Sequence, residues 1–313
     1  MLIGQVRAIR VLCAVAEEGS FSAAARSLGM TQSAVSQHVA ALEREAGLPL
    51  VDRGTRPLEL TEAGAVLVRH GRMVTTQLDD AEQALAEISG RRAGRLRLGS
   101  FPTALTTFVP DGLARLRTAN PDLVLTVVDD HMQGLLPRLG SGELDLAVVY
   151  ENPLLPGEAL GRLTRVPLFD DPYRVVLPAD HRLARRRKRL TLADLAEEVW
   201  VGGRPGSAWF RILLHACRGA GFEPRTLLTT DDYRAVHAFV AARLGIGVVP
   251  GLAAAHPPAG VAVRNLDPGG PVRRIAVAHP PGEPVAPPVG TMTRILREVT
   301  GPLRRGRSAQ PRA

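Results

Sequence analysis

The chain has 313 residues, room for about two domains, with 45% hydrophobic and 22% charged residues, an ordinary mix for a protein that buries real cores. No apolar run approaches the roughly 20 residues of a membrane helix. The opening "MLIGQVRAIRVLCAVAEEGS" is broken by Arg7 and Arg10 and lacks a small-residue cleavage site, so the expected compartment is the cytoplasm, with no membrane partner. A net charge of +8 suggests an anionic partner such as nucleic acid.

The charge is unevenly placed. Residues 1–70 balance seven Arg against seven acids, and the excess sits in "RLARRRKR" (182–189) and in the tail 301–313. The two cysteines, Cys13 and Cys217, match no metal-ligand spacing and read as buried thiols, so neither a metal nor a cofactor is expected.

In chain order, Val6, Ile9, Leu12, Val15 and Ala16 share one face of a helix over 6–18. Ser20 or Ser22 caps a second helix, "SAAARSLG", closed by Gly29. Thr31 opens a third, "TQSAVSQHVAALE" (31–43), in which Val35, Val39 and Leu42 point inward while Gln32, Ser33, Ser36, Gln37 and Ala40 point outward. The spacing of the second and third helices is that of a helix-turn-helix. "LVDRGTRPLEL" reads as a short hairpin or wing with Arg53 and Arg56 at its tip. Thr61 caps a long helix, 62–89, whose seam Leu67, Val74, Leu78, Ala81, Leu85 and Ile88 is heptad-like and calls for a partner helix, with Gly71 a weak point in it.

"SGRRAGR" (89–95) is a linker, after which strands and helices alternate. The first series is a strand at 95–100, a helix at 103–118, a strand at 122–130, a helix near 133–141 and a strand at 145–150, which implies a parallel sheet. A second series begins at "YRVVLP" (173–178) and runs through a helix at "TLADLAEE", a strand at "VWVGG" and "GIGVVP" to a last helix at 286–299. The expected fold class is α/β: a mainly helical winged helix-turn-helix head (1–61), a linker and dimerisation helix (62–89) and two Rossmann-like lobes (90–300). Lobe I covers about 95–167 plus 266–300 and lobe II about 168–265, and 301–313 is expected to be disordered.

"AVAEEGSFSAAARSL", "TQSAVSQHVAALE", "LPLVDRGTR" and "LTEAG" together resemble the N-terminal domain of LysR-type transcriptional regulators. The likeness extends over nearly the whole chain, because that family also has a linker helix and a two-lobed, periplasmic-binding-protein-like effector domain. One departure is Val51, where the family usually has an aromatic residue. The resemblance implies a homodimer or homotetramer that binds double-stranded promoter DNA and responds to a small-molecule effector. It places the helix of 32–43 in the major groove and Arg53 and Arg56 at the minor groove or phosphates.

The residue chemistry agrees. Gln pairs with adenine and Ser bonds any base edge or phosphate, so Gln32, Ser33, Ser36 and Gln37 are the candidate readers. His38 lies at the edge of that face, suited equally to base or phosphate. Loops at strand ends, where helix N-termini offer N–H groups, suggest Ser100, Phe101 and Thr103 in one lobe and Gly203, Ser207, Thr230 and Asp231 in the other as effector contacts. Each of these also suits a cap or turn, and Tyr150 suits either the cleft or the core. Should the hydroxyls line a cleft, a small carboxylate fits it. No G-x-S-x-G, H-E-x-x-H or Walker pattern occurs, so an enzyme is not expected. The readings left open are a binding protein without a DNA role and an α/β enzyme fused to a DNA-binding head.

Overall fold

The computed structural model describes residues 5–55, 57–88, 94–155, 163–266, 270–281 and 285–308. The chain divides into two compact units, one of 1–99, 121–128 and 133–146, the other of 100–120, 129–132 and 147–313.

The first unit begins with α1 (Val6–Glu18), which ends at Gly19 in the left-handed region, φ +64°. Ser20 accepts from the Ala23 N–H at 3.2 Å and starts α2 (Phe21–Ser27). Thr31 accepts from the Ala34 N–H at 3.2 Å and starts α3 (Gln32–Ala46), about one turn longer than the 31–43 expected and closed by Gly47 at φ +67°. Val35, Val39 and Leu42 are fully buried against α1 residues such as Leu12 and Val15. β1 (Val51–Asp52) and β2 (Glu59–Leu60) pair antiparallel, Val51 opposite Leu60, and form the wing. Val51 is buried although it is smaller than an aromatic residue.

α4 (Glu62–Ile88) crosses α1 closely. A Cβ on Gly71 would stand 2.4 Å from Ile9 Cγ2, so Gly71 is no weak point in a seam but the residue that lets the two helices meet. Ion pairs from Arg10 to Asp79 (2.5 Å) and from Arg72 to Glu17 (3.0 Å) flank the crossing.

The strands begin with β3 (Arg95–Ser100). The single helix expected at 103–118 is two, α5 (Pro102–Leu105) and α6 (Val109–Ala119). The Thr107 hydroxyl bonds back to the Thr103 carbonyl, and Pro110, which has no N–H, opens the new helix. β4 (Val124–Asp129) neighbours β3, and α7 (Met132–Gly140) and β5 (Leu146–Glu151) follow.

A second series does not start afresh at 173: β6 is one strand, Thr164–Pro178. After it come β7 (Val199–Gly202), α8 (Ala208–Gly219), β8 (Arg225–Thr229), α9 (Tyr233–Ala241), β9 (Gly247–Pro250), β10 (Val261–Asn265), β11 (Val272–His279), α10 (Pro287–Val299) and α11 (Gly301–Ser308). Within the second unit, β6 pairs antiparallel with β11 through Pro172 and with β10 and β9 from Tyr173 onward, and β11 also pairs antiparallel with β5. β6, β9, β10 and β11 thus join the sheet antiparallel, an addition that the alternation over 95–150 did not include. β7 and β8 pair parallel, as expected of an α/β crossover. The core beyond Tyr173 gathers Trp200, Trp209, Ile212, Val236, Val248 and their neighbours.

Two further expectations are corrected. "TLADLAEE" makes only a 3-10 turn at Ala193–Leu195. Asp194 folds back on the Thr191 N–H and hydroxyl (both 2.9 Å), and the Trp200 indole N–H takes the Leu195 carbonyl that a longer helix would use. The tail is helical as far as Ser308, because Pro302 suits a first turn and Arg304 donates to the carbonyls of Pro167 (2.7 Å) and Leu168. Residues 309–313, and 89–93 of the expected linker, lie outside the described residues.

Candidate nucleic-acid interface and small-molecule site

The candidate interface rests on α3. Its inner row is bolted to the head core by Val35, Val39 and Leu42. Opposite them Gln32, Ser33 and Gln37 are exposed, while Ser36 and His38 are half-buried at the flank. Ser33 shares a hydroxyl contact with the capping Thr31 at 3.0 Å, which ties the first turn of the helix together. The first acid of the helix is Glu43, past this face. One of its oxygens accepts from the Leu50 N–H at 3.0 Å and the other from Arg53 at 3.2 Å. Glu43 is thus a brace between α3 and the wing. Arg53 is half-exposed, paired with Glu43 and stacked over the Phe21 ring at 5.4 Å, two contacts that hold its guanidinium in place. Arg56 lies outside the described residues.

The proposed seam on α4 is divided. Leu67 packs against the head core. Val74, Leu78 and Leu85 are 46%, 41% and 65% exposed, and Ala81 is exposed beside them. The Ile88 side chain lies outside the described residues.

The small-molecule candidates fall into two groups, both in the second unit. In the first, Ser100, Phe101 and Thr103 at the entry to α5, together with half-buried Tyr150 on β5, surround a residue that the sequence reading passed over, Arg273 on β11. Arg273 is 3% exposed. It donates to Asp171 through Nε (3.1 Å) and Nη2 (2.6 Å) and to the Thr103 hydroxyl at 3.1 Å. Its guanidinium carbon lies 5.0 Å from both the Phe101 and Tyr150 rings, which meet edge to face at 5.2 Å. Asp171 also accepts from the Leu252 N–H at 3.0 Å. Burial opposes the Arg273 charge, but the Asp171 carboxylate and the nearby phenols outweigh it and hold the proton more tightly than in free arginine. Burial likewise pushes the phenol of Tyr173, two residues from Asp171, well above its ordinary range.

In the second group Gly203 is buried where a Cβ would strike the Phe210 N–H at 2.8 Å. Ser207 caps α8 through that N–H at 3.2 Å. Asp231 accepts from the Arg204 backbone N–H (3.1 Å) and from its Nε (2.8 Å), and Thr230 accepts from the Asp232 N–H at 3.1 Å. Burial alone would raise the Asp231 carboxyl, but the bonds from Arg204 and Ser207 prevail and lower it. Tyr233 packs on Trp209 at 4.9 Å, and burial pushes its phenol well above its ordinary range. The missed residues had a signal. Arg273 occupies the same alternating positions of "VRRIAVAH" as Ile275 and Val277, so it had to point into the core.

Among the described residues no group of three or more His, Cys, Asp or Glu is placed to hold a metal, and no helix is long and apolar enough to cross a membrane. Helices α1 to α3 with a two-stranded wing, a long exposed helix and an α/β domain define a winged helix-turn-helix regulator joined to a ligand-binding module.

Comparison with known proteins specifies the class. The family model "Bacterial regulatory helix-turn-helix protein, lysR family" matches residues 6–65, and "LysR substrate binding domain" matches 89–301. The chain therefore belongs to the LysR family of bacterial transcriptional regulators and is not an enzyme. It is 31% identical over 244 residues to the "HTH-type transcriptional regulator CbbR" of Rhodospirillum rubrum, covering 78% of each chain. It is 38% identical over 192 residues to a "Probable hydrogen peroxide-inducible genes activator" of Mycobacterium avium, a match that spans 61% of this chain and 60% of that protein. Among solved structures, a full-length OxyR variant from Pseudomonas aeruginosa superposes with TM-score 0.71 at 23% identity, covering 93% of this chain and 97% of that one, which shows a shared fold.

Proposed function

We propose that this regulator reads promoter DNA with α3 in the major groove, using Gln32, Ser33, Ser36 and Gln37 on base edges, His38 at the flank, and Arg53 and Arg56 on the wing. The exposed, uncharged row on a helix anchored by Val35, Val39 and Leu42 carries this reading. Amide and hydroxyl groups discriminate base edges, whereas charge alone does not. In this reading the exposed row Val74, Leu78, Ala81 and Leu85 with Ile88 joins two copies, giving a dimer or a tetramer that places two heads about one DNA turn (~34 Å) or a multiple apart. The protein works in the cytoplasm, where its DNA is. The test is a gel shift with the DNA upstream of its own gene. A salt-sensitive, sequence-specific shift by a dimer is expected, and its absence would contradict the reading.

The effector belongs at the two groups around Arg273 and Arg204. Arg273 is buried and committed to Asp171, so it is a scaffold and not the cation an effector meets. Arg204 has a 70% exposed side chain held by Asp231, and it is the one a small carboxylate would take over. Ser100, Phe101, Thr103 and Tyr150 shape the first wall of this site, and Gly203, Ser207, Thr230 and Asp231 the second.

Relatives named as peroxide-inducible gene activators raise thiol sensing as a second reading. The cysteines here argue against it. Burial raises the Cys217 thiol to about 12 and that of Cys13, despite Arg72 nearby, to about 11. Both are buried, one in each unit, and a thiol that is not ionised is a poor nucleophile toward peroxide. Mass spectrometry of the native protein after peroxide treatment should find both cysteines unmodified.

A further inference from the structure

The basic run of 182–189 has no part in the reading above, yet it is built rather than loose. Leu183 and Leu190 anchor its two ends in the core. Arg264 on β10, more than 70 residues along the chain, donates to three of its carbonyls: Leu183 (2.8 Å), Ala184 (2.7 Å) and Lys188 (2.9 Å). Arg182 pairs with Glu198 and Arg186 with Asp194, each at 2.5 Å. The remaining cations, Arg185, Arg187, Lys188 and Arg189, are exposed, and their side chains hold no hydrogen bond or ion pair among the described residues. The loop spends one buried-side arginine on fixing its main chain and leaves four charges facing outward.

The head, by contrast, is neutral over 1–70. Attraction to the phosphate backbone supplies most sequence-independent DNA affinity, and a neutral head supplies little of it. We propose that the 185–189 loop is a second DNA contact, binding backbone phosphates of the duplex whose bases α3 reads. The inference rests on the DNA-binding reading. Once the head holds the duplex, its phosphates stand at high effective concentration for any basic surface of the same molecule that reaches them. Because Arg264 fixes the main chain beforehand, less ordering is lost on contact. Arginine also suits phosphate, since its planar donors grip two oxygens at once. Contacts of this kind add affinity without sequence preference.

The test uses the full chain and two long duplexes, one carrying the upstream sequence of its gene and one scrambled, titrated at several salt concentrations. In a variant with Arg185→Gln, Arg187→Gln, Lys188→Gln and Arg189→Gln, affinity for both duplexes should fall together. The slope of log affinity against log salt should become shallower by about 0.9 for each lost phosphate contact, up to about four contacts per subunit. Preference for the upstream sequence should stay as it was. These side chains are exposed and form no ion pair among the described residues, although the Arg185 charge helps to lower the Asp180 carboxyl, so the thermal melt should change little. Lysine at 185, 187 and 189 should restore the slope. A slope identical to that of the unaltered protein, or a lysine variant as weak as the glutamine one, would overturn the proposal. So would loss of binding to single-stranded RNA or inorganic polyphosphate with DNA binding intact, because the loop would then serve another polyanion. An unaltered chain that binds neither duplex defeats the underlying DNA reading. An unaltered chain that binds selectively, alongside a loop variant that matches it, defeats only this inference.

Discussion

On α3, Gln32 and Gln37 stand exposed with no side-chain hydrogen bond among the described residues, and the first acid of the helix, Glu43, is occupied by the wing. Around Arg273 the arrangement is reversed. A full charge is buried, and Asp171, Thr103 and two aromatic rings share it. The head leaves its polar groups unspent, so a partner can satisfy them. The α/β domain satisfies this buried charge within its own fold. The difference follows from desolvation. A polar group left in water costs nothing until a partner displaces that water, whereas a buried charge must be paired within the fold.

The comparison breaks most visibly at Asp171. Asp171→Asn leaves Arg273 buried without a counter-charge and should cost about 3–5 kcal/mol of stability, read as a lower urea midpoint. An unchanged midpoint would mean that the pair is dispensable.

Gly71→Ala probes the head without touching its polar face. The new methyl meets Ile9 Cγ2 at 2.4 Å, and overpacking of that kind costs about 1–3 kcal/mol. The better helix propensity of alanine returns up to about 1 kcal/mol. Thr31→Ala removes the cap of α3 and should cost about 1 kcal/mol, with the tertiary core intact. Circular dichroism during thermal melting checks both variants. The smallest effect is at Asp231, whose carboxyl is held below its ordinary value. Its contribution is present above the unfolded pKa of about 4 and is lost as pH falls through the lower folded value. The stability gap between the unaltered protein and Asp231→Asn should therefore be constant near neutrality and close only in strong acid.

Much of the head was legible in the sequence because its signals are local. Ser20 and Thr31 cap where they stand, Gly19 and Gly47 end helices where a left-handed turn is needed, and Val35, Val39 and Leu42 keep one face. What escaped depends on distant partners. Gly71 looked like a gap in a seam until Ile9 was set against it. Arg304 turned an expected coil into a helix end by reaching carbonyls on β6. The candidate site divided in the same way. Ser207 could be foreseen as a cap, but that Arg273 would pair with Asp171, about a hundred residues earlier, is a property of strand order on β6 and β11 that no local pattern carries.

The most direct measurement is the binding of the full chain to its upstream DNA, with Gln37→Ala beside the unaltered protein and every base of the bound site varied in turn. A loss of about 1–3 kcal/mol confined to specific DNA is expected, with discrimination relaxed at one base position and the salt slope unchanged. Equal weakening on specific and scrambled DNA, or selectivity that survives the substitution intact, would contradict the claim that the uncharged face of α3 reads the bases.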